Sequence, residues 1–136
     1  MFEIFEHTAD VGIRARAETP EGLFADAARG LFSVMVSHLD VVRPVETVEL
    51  RVPGDNLEEL LHDWLSELLF IFSTRRLVFC EFQVQIGSDG LTASVRGEPL
   101  DPRRHALDVE VKAITWHALK VERTADGWVA EVIVDV

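Results

Sequence analysis

Polar and apolar residues alternate in two short stretches near the start of the chain. Phe2–Glu6 roughly alternates, and after the break His7-Thr8-Ala9-Asp10 the apolar residues of 11–17 occupy every second position. A period of two is typical of a half-buried strand. The pattern therefore predicts two strands separated by a short polar interruption.

Two longer stretches have the period of an amphipathic helix. Thr19 is placed to cap the first, and Pro20 suits its first turn. The second is predicted to run from Asp55, which forms a capping box with Glu58, to about Arg75. The first apolar stripe consists of Leu23, Phe24, Ala27, Ala28, Leu31, Val34 and Met35. The second consists of Leu57, Leu60, Leu61, Trp64, Leu65, Leu68, Leu69 and Phe72.

The remaining apolar segments are predicted to be extended. Val45–Val52 indicates a strand, Leu77–Ile86 and Leu91–Arg96 a hairpin, Val109–Glu122 a largely extended segment, and Trp128–Val136 a last strand. Strands grouped toward the ends, with helices between them, favour an α+β class with a mostly antiparallel sheet and two main helices packed on it. A length of 136 residues fits one domain, 1–136.

Acidic residues outnumber basic ones by 24 to 13, which gives a formal net charge of −11. A free-standing nucleic-acid binder needs a basic surface, so we expect no stable direct binding of nucleic acid. Small basic spots at Arg103-Arg104-His105 or at Arg75-Arg76 are interpreted as solvated charges. A metal ion, or a partner protein with a basic face, suits this charge better.

The chain lacks the local patterns of the common enzyme classes. It contains no phosphate-binding glycine loop, no HExxH and no GxSxG. Its one cysteine, Cys80, falls at the alternating spacing of Val78 and Phe82, which predicts a buried and unreactive thiol. No secretory leader or membrane span is recognisable, so we expect a cytoplasmic protein.

Carboxylates near both ends of the chain are candidate metal ligands. Asp10 precedes an apolar strand, where its side chain must face water, stabilise a turn or meet a partner. Asp135 adjoins Val136, whose terminal carboxylate adds a second negative charge. Such charges repel unless a cation lies between them, and a hard divalent ion with oxygen ligands would suit. The alternative is a frayed, solvated terminus.

A third candidate region is Glu110–His117. If this segment is extended, Glu110 and Lys112 share one face, and Val111 and Ala113 share the other. Lys112 then lies beside a carboxylate in a polar row. An ordinary ion pair on a sheet surface explains this pattern as well as a functional site does.

Taken together and in order, these regions resemble the archease family over nearly the whole chain. The position after Thr115 is often tyrosine in that family and is Trp116 here, so an aromatic residue is kept. The matching segments are Glu6-His7-Thr8-Ala9-Asp10-Val11, Gly97-Glu98, Asp101, Arg104-His105, Glu110-Val111-Lys112-Ala113-Ile114-Thr115, His117, Gly127-Trp128 and Val134-Asp135-Val136.

The resemblance implies a compact α+β domain that acts as a non-catalytic partner of an RNA ligase of the RtcB type. That ligase uses GTP and manganese to join 2′,3′-cyclic phosphate or 3′-phosphate ends to 5′-hydroxyl ends in tRNA splicing and RNA repair. Family members promote its guanylylation and multiple turnover.

The resemblance also implies particular site residues. Asp10, Asp135 and Val136 would form a divalent-metal site, for calcium above all, with manganese or magnesium as alternatives. Lys112, together with Asp10 and Asp135, would serve ligase activation. His7, Glu110 and His117 are secondary candidates.

Two other function classes stay open at this point. A small metal-dependent phosphoesterase acting on RNA ends would use the same acidic residues, although the chain shows no basic cradle for its substrate. A general chaperone or interaction module would need an exposed apolar patch.

Overall fold

The computed structural model describes residues 1–7 and 10–136, with His7 represented by its backbone. Within these ranges the helices are α1 (Pro20–Met35) and α2 (Leu57–Arg75), with a short 3-10 turn at Leu39–Val41. The strands are β1 (Phe2–His7), β2 (Asp10–Ala17), β3 (Val36–Ser37), β4 (Glu46–Pro53), β5 (Leu77–Gly87), β6 (Gly90–Pro99), β7 (Ala106–Leu107), β8 (Ala113–Ile114), β9 (Lys120–Thr124) and β10 (Gly127–Asp135).

The described strands form three antiparallel sheets. The largest has the order β1-β2-β10-β8, with β9 paired to the first half of β10. A second sheet has the order β4-β6-β5, and β3 pairs with β7 in a short third one. The predicted α+β class is confirmed, but the expected sheet is divided, because the two helices and their loops separate the terminal strands from the central ones.

Helix α1 lies between the two larger sheets. The Thr19 hydroxyl accepts a 3.1 Å hydrogen bond from the Gly22 N–H, and Pro20 begins the helix, as predicted. Its buried residues include the predicted stripe and also Ala25 and Phe32. The wider burial follows from its position, because the helix contacts β1, β2 and β10 on one side and β5 on the other.

The N-terminal cap of helix α2 lies one residue later than predicted. Its cap is Asn56, whose side-chain oxygen accepts a 3.0 Å hydrogen bond from the Glu59 N–H, so the predicted Asp55 cap is wrong. The same spacing of cap and acidic residue occurs at both positions, and only the backbone path separates them. The Trp64 indole N–H donates to the Phe24 carbonyl at 3.0 Å and ties α2 to α1.

The predicted hairpin is present as β5 and β6, with an irregularity at Cys80. The register shifts between Phe79 and Glu81, so Cys80 is the additional residue of a bulge. Its side chain is half-buried rather than buried. Burial is the main cause that raises the pKa of the Cys80 thiol, which keeps it protonated and weakly nucleophilic.

The segment predicted as largely extended over 109–122 contains only two short strands, β8 and β9. A hydrogen bond to α1 holds the first part of this segment instead. The main-chain N–H of Val109 donates to the Val34 carbonyl at 3.1 Å. Between β8 and β9 the chain turns, with Ala118 at a positive φ of 53°. In the described ranges, no helix combines the length and the apolar character needed to cross a membrane.

Candidate metal and partner site at the strand ends

Strands β2 and β10 bring Asp10 and Asp135 to the same end of the largest sheet. Their antiparallel register pairs Val11 with Val134, so the next residues in that register are Asp10 and Asp135. Paired residues in an antiparallel ladder have Cα atoms about 4.5–5.5 Å apart. The strand that begins with Asp10 therefore lies beside the last strand, as convergence of these two carboxylates requires.

Strand β8 adds Lys112 to this end of the sheet. Asp135 pairs with Ala113, and the main-chain N–H of Lys112 donates a 2.7 Å hydrogen bond to the Asp135 carbonyl. Asp10, Asp135 and Lys112 thus follow one another across three neighbouring chain segments. The backbone ladder, rather than any side-chain contact, holds them in this order.

The carboxylates at this edge are accessible. Asp135 is exposed, while Asp10 and Val136 are half-buried. No ion pair among the described side chains reaches Asp10 or Asp135. Nor do the described His, Cys, Asp and Glu side chains form a group of three or more that could hold a metal ion. Among the described residues, the carboxylates of Asp10 and Asp135 are acidic oxygen donors that the register of β2 and β10 brings to this end of the sheet.

The secondary candidates are only partly described. The side chain of His7 lies outside the described residues, as do Thr8 and Ala9 of its motif. Glu110 is exposed. His117 is exposed, and its main-chain N–H donates to the Thr115 hydroxyl at 3.3 Å. That hydroxyl in turn donates to the Ile133 carbonyl at 2.8 Å, which fastens the loop to β10.

The expected alternation of faces over 110–113 is wrong. Glu110 and Lys112 are both exposed and Val111 is buried, but Ala113 is exposed rather than sharing the buried side with Val111. Residues 108–112 are not in a strand, so the period of two does not apply to them. Of the ion pairs between described residues, none joins Glu110 to Lys112.

Residues of the internal motif form a buried polar cluster in the part of the chain that precedes Glu110–His117. His105 is fully buried and Glu98 nearly so. The carboxylate of Glu98 accepts hydrogen bonds from the Arg104 guanidinium at 2.6 Å, the Arg43 N–H at 2.7 Å and His105 Nε2 at 3.0 Å. The Asp101 N–H donates to His105 Nδ1 at 2.9 Å, so the proton of the neutral ring is on Nε2.

This cluster has a strong electrostatic effect on Glu98. The hydrogen bond from Arg104 is the largest cause that lowers the pKa of Glu98 to about 2, and the bonds from Arg43 and His105 act in the same direction. The expected solvated basic spot at 103–105 is therefore wrong for two of its three residues. Arg104 is paired and His105 is buried, while Arg103 is exposed and pairs with Asp101 at 3.3 Å.

Gly97 lets the chain reach this cluster. A Cβ atom at Gly97 would lie 1.8 Å from the main-chain oxygen of Val78. No side chain fits there, so the residue before Glu98 must be glycine for β5 and β6 to pair closely. This gives a structural explanation for the motif matches at Gly97-Glu98, Asp101 and Arg104-His105. These residues anchor the loop that leads to the Glu110–His117 segment.

Sequence reasoning missed one contact beside the site. His62 of α2 is half-buried and stacks on the Trp116 ring, with centroids 3.8 Å apart and planes 12° apart. His62 Nε2 also lies 3.1 Å from the Ile114 main-chain oxygen. The only indication in the sequence was the aromatic residue at 116 within the recognised motif.

Comparison with known proteins identifies the family of the chain. Residues 2–136 match the model of the Archease protein family. Protein archease of Methanopyrus kandleri is 45% identical over 99% of both chains. That of Pyrococcus furiosus is 41% identical over 99% of this chain and 98% of the relative. The chain belongs to the archease family.

Solved structures show the same fold. The solution structure of Protein 1598 of Methanobacterium thermoautotrophicum superposes with a TM-score of 0.87 at 35% identity, over 99% of this chain and 98% of that one. A Thermotoga maritima crystal structure, described as an archease and possible chaperone, has a TM-score of 0.64 at 21% identity, over 100% of this chain and 98% of that one.

Proposed function

We propose that this chain is a non-catalytic accessory protein that activates an RNA ligase of the RtcB type. The observation that carries the proposal is the register of β2, β10 and β8, which gathers Asp10, Asp135 and Lys112 at one end of the sheet. These are the residues that the family resemblance marks as functional. Their shared position supports that assignment.

The proposed site holds a divalent cation between Asp10, Asp135 and the Val136 carboxylate. The donor set is entirely oxygen, which suits calcium, magnesium or manganese. Without a cation these carboxylates repel one another across adjacent strands. A bound ion supplies positive charge that neutralises phosphate oxygens, and the Lys112 ammonium supplies a second cation on the neighbouring segment.

The overall charge favours a basic partner over free RNA. A net charge of −11 repels nucleic acid and attracts a basic RNA-binding groove of a ligase. Association with the ligase should therefore slow as ionic strength rises, mainly through the rate of encounter. A binding rate that is the same at low and high salt would remove electrostatic steering from the proposal.

The test is a ligation assay with the purified ligase, with this protein alone as the control for catalysis. We expect substoichiometric amounts to raise ligase turnover, Asp135→Asn to abolish the effect, and Asp126→Asn to preserve it. Asp126 is a matched control because it is exposed and lies in the turn at the opposite end of β10. Phosphoesterase activity that stays with the protein through rigorous purification would overturn the accessory role.

A general chaperone activity is a second candidate, because several large apolar side chains are exposed, among them Phe70, Leu107 and Trp116. The Thermotoga maritima protein carries that description as well. Suppression of the aggregation of unrelated denatured proteins, without any effect on the ligase, would favour this candidate. Activation that depends on Asp135 would exclude it as the main function.

A further inference from the structure

Two exposed aromatic residues lie close to the strand-end site. Phe70 of α2 is 61% exposed and Trp116, which follows β8, is 55% exposed. Single exposed apolar residues are common on protein surfaces and need no explanation. These two differ because Phe70 lines a short groove next to Lys112, and Trp116 follows by two residues Ile114, which lines the same groove.

The groove separates α2 from the β8 segment. Its helix side consists of Ser66, Phe70 and Ser73, and its other side of Lys112, Ala113 and Ile114. The volume is about 320 Å³, enough for one or two side chains of a partner.

Trp116 is held rigidly at one end of this groove. One face of its ring stacks on His62, and His62 is fixed in turn by Asp63 Oδ1 at 3.1 Å and by the Ile114 main-chain oxygen at 3.1 Å. His62, Ser66 and Phe70 are spaced by four residues, so they lie along one face of the helix. The remaining exposed surface of the indole is therefore presented in a fixed orientation beside the groove.

Two exposed carboxylates on α2 lie near the stack of His62 and Trp116. Asp63 and Glu67 are exposed on α2 beside the His62–Phe70 row. Among the described residues, Lys112 is the charged residue that lines the groove, so the groove suits an apolar side chain and the acids of α2 lie beside the indole instead. A rigid indole face with carboxylates nearby is suited to a guanidinium group, which stacks on the ring and pairs with the acids. A nucleobase can also stack on tryptophan, but its phosphates would face a net charge of −11.

We infer that this groove docks a basic segment of a partner protein, with an arginine over Trp116 and an apolar side chain against Phe70. The inference rests on the proposed function, under which that partner is the ligase. It assigns the affinity for the ligase to Phe70 and Trp116, and the activation itself to the adjacent residues Asp10, Asp135 and Lys112.

The experiment measures binding and activation separately, with the purified ligase as the probe. Trp116→Ala and Phe70→Ala should each raise the dissociation constant and the half-maximal activating concentration by about tenfold or more, the range of interface aromatic anchors. Maximal activation at saturating protein should be unchanged. Trp116→Phe should retain most of the affinity, and Trp116→Arg should lose it through repulsion. Val45→Ala is the control, since Val45 is 66% exposed and lies just before β4, where its main-chain N–H donates to the Gly97 carbonyl of the other large sheet.

Several outcomes would overturn the inference. Unchanged affinity in Trp116→Ala and Trp116→Arg, with melting temperatures equal to that of the wild type, would show that the groove is not the docking surface. Binding of a labelled single-stranded RNA that is lost in Trp116→Ala would make it a nucleic-acid platform instead. Wild-type protein that binds the ligase through Trp116 without activating it would refute the proposed function alone, whereas no binding at all would refute both.

Discussion

The main-chain N–H of Lys112 donates a 2.7 Å hydrogen bond to the carbonyl oxygen of Asp135. This bond joins a segment outside any strand to the last strand of the largest sheet. Because it involves backbone atoms, it leaves both charged side chains available. Substitutions of either side chain can therefore test function without removing the contact that positions them.

The first prediction concerns metal binding. Calcium, manganese or magnesium should raise the melting temperature of the wild-type protein, because an ion that binds only the folded state stabilises it by about 2.7 kcal/mol at 100 times its dissociation constant. Asp10→Ala and Asp135→Asn should abolish the increase. Differential scanning fluorimetry with and without each ion measures the effect.

The control for the metal prediction is Asp126→Asn, which removes the same charge from the far end of β10. It should keep the full metal-dependent increase. An equal increase in wild type and Asp135→Asn would place the ion elsewhere and exclude Asp135 as a ligand.

The second prediction separates the function of Lys112 from its structural position. Lys112→Ala should lower ligase activation while changing the free energy of unfolding by no more than about 0.5 kcal/mol, as is usual for an exposed side chain. Chemical denaturation and the ligation assay measure the two effects. Loss of activation that parallels a large loss of stability would instead make Lys112 a structural residue.

Local sequence patterns were sufficient to locate the elements that have a clear alternation or a clear capping residue of their own. Alternation located β1, β2 and β10, and Thr19-Pro20 located the start of α1. Asp55 was predicted as the cap of α2, but Asn56 is the cap, because the backbone path and not the spacing decides which side chain reaches a free N–H. The segment over 109–122 was misjudged because long-range hydrogen bonds to α1 and β10 determine its path.

Only part of the candidate site could be predicted from the sequence. Resemblance pointed to Asp10, Lys112 and Asp135, but their proximity depends on strand order, which no local period encodes. The role of Glu98 was hidden for a similar reason, because Arg43, from whose main-chain N–H it accepts a hydrogen bond, is distant in sequence. Motif matches therefore did not distinguish residues that form the site from residues that support it.

The third prediction concerns the pH dependence of stability. The pKa of Glu98 is about 2 in the folded protein, against 4.5 for an unperturbed glutamate. A lowered folded-state pKa means that the ionised carboxylate contributes its full stabilisation, about 3 kcal/mol, above pH 4.5. That contribution should disappear as the pH falls from 4.5 toward 2.

Glu98→Gln tests this assignment. The variant should be less stable at pH 7 by about 3 kcal/mol, because Arg104 loses its charged partner, and its stability should fall less steeply below pH 4.5. Glu81→Gln is the control, since the Glu81 side chain is 51% exposed in its pair with Arg96. Urea denaturation at several pH values gives both profiles, and identical profiles for wild type and Glu98→Gln would contradict the assignment.

The last prediction concerns Gly97, where the backbone of two strands approaches too closely for any side chain. Gly97→Ala would place a Cβ atom 1.8 Å from the Val78 carbonyl oxygen, so the pairing of β5 with β6 must open. Because the obstruction is backbone, no rotamer change relieves it, and the cost should exceed the roughly 1–3 kcal/mol of ordinary overpacking. Gly87→Ala is the matched control in the same hairpin, since a Cβ there meets nothing within 4 Å.

Opening the strands at Gly97 also displaces Glu98 and releases the Arg104–His105 loop that precedes the Lys112 segment. Thermal unfolding should therefore show a large loss for Gly97→Ala and little for Gly87→Ala, and ligase activation should fall only in the former. Equal stability of the two variants would mean that Gly97 is not required for this close approach.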